Sequence, residues 1–195
     1  MTLRVGVTGG IGSGKSTVCS IIGAMGYPIY SSDVEAKKLM ESDVAVVGSI
    51  AELFGEHIYI NGKLDKQKVA MLAFNDRGLL ARLNAIVHPA VVKHFDTWVH
   101  NHSSFPIVFQ ESAILFESGA FRQVNVSILV VAPVDVRVKR VVDRDKVTEG
   151  DVRSRVSNQL PEEELLAMAD YVIKNDGFNL LLPQVVDIID RLKQR

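Results

Sequence analysis

Nine consecutive residues carry the clearest chemistry in the chain: Gly9-Gly10-Ile11-Gly12-Ser13-Gly14-Lys15-Ser16-Thr17. They fit the pattern G-x-x-x-x-G-K-[ST], with Gly9, Gly14, Lys15 and Ser16 in the fixed positions. A phosphate group is held by donors that converge on a small anion. The backbone N–H groups of Gly10 to Thr17 can converge only if side chains leave the approach open. Four of the six residues from Gly9 to Gly14 are glycine, which meets that need. Lys15 brings a point charge to the terminal phosphates of a nucleotide, and the Ser16 hydroxyl is a ligand for Mg²⁺. A helix starting here adds its positive N-terminal end.

Other candidates are single residues with two readings each. Asp33 stands just after Tyr27-Pro28-Ile29-Tyr30, a short second strand, followed by Ser31 and Ser32. In open parallel sheets ligands gather at the carboxyl ends of strands, so Asp33 falls on the same rim as the glycine loop. It is either an acid–base group or a helix N-terminal residue stabilised by the dipole. Arg140 and Arg144 are four apart in a charged segment running from Asp135 to Gln159. That segment is either a solvated helix face or a mobile lid that carries arginines to a transferring phosphoryl group. His88 reads as a buried or capping histidine. Gln110-Glu111 lies beyond the strand Phe105–Phe109, where many phosphate-loop proteins place a metal-linked aspartate; Glu111 could serve through a water. The single cysteine, Cys19, reads as packing, and the five histidines have no metal-ligand company.

The elements that position these groups follow from periodicity. Leu3–Thr8 is a buried strand, and Val18, Ile21, Ile22 and Met25 mark a helix that ends at Gly26. A helix follows over Val34–Met40. Val44, Val47, Ile50 and Phe54 form a second helical face, stopped by Gly55. Ile58–Leu64 predicts a hairpin around Asn61-Gly62. Asp65 and Asp76 are N-caps, and Pro89 opens a helix running to about His100. This block is too large for a simple crossover and should be a helical insertion. Val126–Ala132 is the expected central strand, ended by Pro133. Thr148 to Asp151 is a capping box, Pro161 opens another helix, and Tyr171–Asn175 is the last strand. Leu182, Val185, Val186, Ile189 and Leu192 give the closing helix its apolar face.

Composition sets limits. The chain has 195 residues, 47% of them hydrophobic, enough for one main core with an insertion or two. No apolar run reaches the length of a membrane span. Met1-Thr2-Leu3-Arg4 runs straight into the first strand, which leaves no room for a signal peptide. With one cysteine, the expected compartment is the reducing cytoplasm. A net charge of −1 does not suggest a nucleic-acid binder.

The separated segments resemble the dephospho-coenzyme A kinase family over nearly the whole length. The resemblance rests on Val7 to Ser16, Asp33, Leu83 to His88-Pro89, and Leu115-Phe116-Glu117-Ser118-Gly119. It continues through Arg140 with Arg144-Asp145, Gln159-Leu160-Pro161, and Ala169-Asp170 with Asn175. It implies an α/β, nucleotide-kinase-like P-loop NTPase fold: three layers, α/β/α, a five-stranded parallel sheet, a helical substrate-domain insertion and a lid. The implied nucleotide-binding core is 1–32, 104–134 and 168–195, the coenzyme A (acceptor) domain 33–103 and the lid 135–167. The implied reaction moves the γ-phosphoryl of ATP, with Mg²⁺, to the ribose 3′-hydroxyl of dephospho-coenzyme A. By the same resemblance Lys15, Asp33 and Arg140 are catalytic. Gly10 to Thr17, Arg140 and Arg144 hold ATP phosphates, and Ser16 holds Mg²⁺. Asp33, His88, Pro89 and Glu117 face the acceptor. The chain departs from the family pattern at Ser31, Ala113-Ile114, Leu165 and Arg137, where a glutamine is common. Two other classes stay in play: another small-molecule kinase of this fold, and a nucleotide switch. The switch would need Asn-Lys-x-Asp, and the nearest string, Ile173-Lys174-Asn175-Asp176, lacks the first Asn.

Overall fold

Leu3–Thr8, with β-branched Val5, Val7 and Thr8, forms strand β1, and the glycine loop leads into helix α1, Lys15–Ala24. Strand β2 is Ile29–Ser31. Then come α2 (Ser32–Ser42), α3 (Val44–Phe54), the hairpin β3 (Tyr59–Ile60) and β4 (Lys63–Leu64), α4 (Lys66–Asn75) and α5 (Arg77–Asn101). The chain continues with β5 (Ile107–Glu111), β6 (Val126–Val131), α6 (Val134–Asp145), α7 (Glu149–Ser157), α8 (Glu162–Met168), β7 (Tyr171–Lys174) and α9 (Leu181–Leu192). This is a computed structural model describing residues 2–195, apart from the side chains of Phe74, Asn75 and Arg77. It divides into two units, Met1–Ser31 with His102–Arg195, and Ser32–Asn101. Among the described residues no helix is long and apolar enough to cross a membrane.

In the first unit five parallel strands run in the order β2-β5-β1-β6-β7. The central strand is therefore β1, not the Val126–Ala132 run, which lies fourth. Strand β5 begins two residues later than the sequence suggests and includes Gln110 and Glu111, so Glu111 is its last paired residue rather than a loop residue. Alternation sorts the strands' side chains by face. Val5, Val7, Ile128 and Val130 pack with Val18 and Ile22 of α1 and Val185 and Ile189 of α9. Leu129 points the other way, onto Phe116 and Leu165 of α8. Each such buried aliphatic side chain stabilises by about 1.5–3 kcal/mol. Helix α9 turns its face differently from the expectation: Ile188 is buried, while Leu182 is 56% exposed. A third cluster joins Val138 and Val141 of α6 to Val152 of α7, with Ile11 of the glycine loop packed against it.

The second unit is helical with one hairpin. Asn61 and Gly62 both take positive φ, 50° and 76°, as a tight two-residue turn requires. The Asp65 side chain accepts from Lys68 N at 3.0 Å and Asp76 from Gly78 N at 2.8 Å, so both act as caps. Asp43 caps α3, and the buried stripe there is Val46, Ile50 and Phe54; Val44 is 88% exposed. Pro89 does not open a helix. It lies inside the 25-residue α5. A proline costs roughly 3 kcal/mol in a helix interior. Here Leu83, Val87, Val91, Phe95 and Val99 are buried at every fourth position across it, and that apolar stripe outweighs the lost hydrogen bond.

Candidate active site

Strand β1 delivers the chain to the glycine loop, and the loop folds back on itself before α1 begins. Ser13 N donates to Gly10 O at 3.1 Å, and Thr17 N donates to Gly14 O at 3.0 Å. Gly14 is the N-cap of α1 in the left-handed region, φ 95°. A Cβ there would be strained and would also collide with the side-chain nitrogen of Asn175. That nitrogen donates to Ser13 O at 2.7 Å, so Asn175, just after β7, ties down the loop. Lys15 lies along the loop, its Nζ donating to Gly9 O at 2.7 Å and Gly10 O at 3.3 Å. Ser16 and Thr17 are exposed in the first turn of α1. Ser13 Oγ is buried with no hydrogen-bond partner among the described residues. A cradle of glycine backbone around an orphaned hydroxyl fits a phosphate group, whose oxygens accept from such donors.

Helix α6 brings Arg140 to the back of this loop. Its Nη1 is 3.5 Å from Gly12 O and its Nη2 donates to Asn175 Oδ1 at 3.3 Å. Arg144, one turn on, goes elsewhere: it grips Asp145 through two hydrogen bonds of 2.7 and 3.0 Å. That bond holds the Asp145 carboxyl below its usual range. Gln159 Oε1 accepts from Ile11 N at 2.9 Å. Asn175 and Gln159 were visible in the sequence only as parts of matched segments; nothing in their type or spacing announced a hold on the loop. On the β2 side, Ser31 Oγ donates to Glu111 Oε2 at 3.0 Å. Hydroxyl and carboxylate oxygens, those of Ser16 and Glu111, are the hard donors that suit Mg²⁺. Glu117 is exposed in the turn after β5.

The remaining candidates lie in the second unit. Asp33 is exposed in the first turn of α2, and its carboxylate makes no hydrogen bond or ion pair among the described residues, so it caps nothing. His88 is half-buried in α5, and burial lowers its pKa; Pro89 is exposed beside it.

The family model for dephospho-CoA kinase matches residues 3–180. The chain belongs to the dephospho-CoA kinase family. A dephospho-CoA kinase of Bacteroides fragilis is 38% identical over 195 residues, covering 100% of this chain and 95% of that one. A solved protein of Thermus thermophilus superposes with a TM-score of 0.87 at 33% identity, covering 98% of this chain and 97% of its own. The dephospho-CoA kinase of Campylobacter jejuni superposes with a TM-score of 0.72 at 25% identity, covering 100% and 98%. As a dephospho-CoA kinase family member, the chain is a kinase with a phosphate-loop fold.

Cys19, in α1 beneath the loop, is 6% exposed. Burial pushes its thiol up to about 12, the Glu111 charge adds to this and Lys15 opposes it. The thiolate is the nucleophile. Iodoacetamide at pH 8 should therefore leave the folded protein unlabelled and react fully only in denaturant. Rapid native labelling would show a reactive thiol.

Proposed function

We propose that this chain transfers the γ-phosphoryl group of ATP to the ribose 3′-hydroxyl of dephospho-CoA, giving CoA and ADP, the last step of CoA synthesis. The observation that carries this is an intact glycine cradle with Lys15 across it, in a chain that matches the family from residue 3 to residue 180. The phosphates bind along Gly10 to Thr17. Asp33 accepts the hydroxyl proton as the ribose oxygen bonds to the γ-phosphorus and the bond to the bridging oxygen breaks, releasing ADP. An exposed carboxylate with no internal partner suits that role. Lys15 and Arg140 offset the charge on the transferring oxygens. Mg²⁺, held by the Ser16 hydroxyl and by Glu111 through water, would neutralise charge on the phosphate oxygens. We assign residues 33–103, with His88 and Pro89, and Glu117 to the acceptor, residues 135–167 to a lid, and the enzyme to the cytoplasm.

A panel assay tests this. ADP release is followed with ATP plus dephospho-CoA, plus nucleoside monophosphates, plus shikimate, and with no acceptor. Mass spectrometry of the first reaction should show CoA. Turnover with another acceptor, and none with dephospho-CoA, would overturn the proposal.

Arg140 gives a sharper test. A guanidinium reaches two acceptors in one plane, here a loop carbonyl and Asn175; an ammonium cannot copy that fork. Arg140→Lys should lower kcat/KM about tenfold despite unchanged charge. Normal kinetics would place Arg140 outside the phosphate site.

A further inference from the structure

Arg137 stands three residues before Arg140, in the first turn of α6, and is the only charged side chain among the described buried residues, at 7% exposure. Its Nε is buried without a hydrogen-bond partner, and its guanidinium makes no hydrogen bond or ion pair among the described residues. A guanidinium has five N–H donors and keeps its charge, so burying it unpaired is costly unless an anion completes it. Nearby acids do not. Asp135 is held by Arg153 at 2.9 Å, and Glu162, which lines the same cavity as Arg137, makes no ion pair with it among the described residues.

The position of the group says what kind of anion belongs there. Its Nη1 rests against Gly10 so closely that a Cβ at Gly10 would collide with it. It lines a cavity of about 360 Å³ shared with Gly10, Ala132, Pro133, Gln159 and Glu162. The phosphate loop thus reaches that cavity at Gly10, and the bond from Ile11 N to Gln159 Oε1 ties the loop to another residue of the lining. We propose that Arg137 is a further phosphate-binding residue, whose guanidinium takes oxygens of a substrate phosphate group entering this cavity beside Gly10. The proposal rests on the kinase reading. The phosphate could come from the ATP chain or from the diphosphate of the acceptor; the chemistry is the same, and the arms below separate the two.

Arg137→Gln removes the charge and shortens the side chain, leaving two N–H donors of the five. Binding of ADP, adenosine, dephospho-CoA and inorganic pyrophosphate is measured by calorimetry for wild type and variant, at low and high salt. A phosphate contact predicts about tenfold or greater loss of affinity for ADP or for dephospho-CoA, with a weaker salt dependence and adenosine binding unchanged. Loss for ADP identifies the nucleotide chain, and loss for dephospho-CoA identifies the acceptor. Unchanged affinities for ADP, pyrophosphate and dephospho-CoA in a folded variant overturn the proposal. So does a variant whose melting point moves while no affinity does, the result expected if Glu162 were its partner. Arg137→Lys, should the glutamine variant fail to fold, must retain phosphate binding better than Arg137→Met. These are binding measurements, so they stand apart from the acceptor panel. A chain inactive on dephospho-CoA fails that panel and can still show the Arg137 effect with ADP or pyrophosphate.

Discussion

Lys15→Ala should cut turnover by about a hundredfold or more in a protein that still folds, the scale of losing one preorganised donor to a developing charge. Lys15 opens α1, where alanine is the best helix former, so the substitution does not disturb the helix. Its bonds to Gly9 O and Gly10 O are local to the loop. The fold's stability lies in the sheet core of Val5, Val7, Ile128 and Val130, which Lys15 does not enter. Steady-state kinetics with ATP and dephospho-CoA, alongside circular dichroism and a thermal melt, make the check. Near-normal turnover with a native melt would remove Lys15 from the chemistry.

Asp33→Asn should lower kcat by about 10²–10⁴ if Asp33 is the general base. An amide cannot take the proton, yet it has nearly the same size and the same value as an N-terminal helix residue. The structure sharpens the contrast. Because the Asp33 carboxylate accepts nothing from α2, its loss should leave the melting temperature within about a degree or two. ATP binding should also be kept. A variant that turns over normally but melts several degrees lower would make Asp33 a structural residue and send the search for a base elsewhere.

The glycine loop was legible because everything about it is local: fixed residues, a strand before and a helix after. The hairpin at Asn61-Gly62 and the capping box at Thr148 were legible for the same reason; the Thr148 hydroxyl and Asp151 do exchange bonds. Strand order was not. Apolar content marked Val126–Ala132 as buried, but burial on both faces does not distinguish the third place in a sheet from the fourth. Pro89 misled for a different reason. A proline is a local stop signal, and the stripe from Leu83 to Val99 that overrides it is tertiary. In the site, the charged run from Asp135 read as a uniform face, yet its first three arginines have different surroundings. Arg144 is a solvated pair member, Arg140 a loop contact and Arg137 a buried cation. Charge spacing alone cannot sort them, because the deciding partner, the loop, is far away in sequence.

The strand order has a consequence for how the protein is made. Strand β1 emerges first from the ribosome, but both of its neighbours come late: Leu3 pairs with Ile107, and Val5 with Val126. Strand β2 also waits for β5. A nascent chain a hundred residues long thus holds the whole nucleotide motif and two strands of the sheet, with the partners of neither. Its β1 offers unpaired edges meanwhile, and such edges invite pairing with other chains. The stretch Ser32–Asn101 is continuous, so its local contacts can form while β1 still waits. The ability to hold nucleotide should therefore arrive abruptly, late in translation, once β7 and Asn175, which ties down the loop, have cleared the exit tunnel. Ribosome-stalled chains ending before β5 should fail to retain an ATP resin, and chains with residues beyond β7 exposed should be captured.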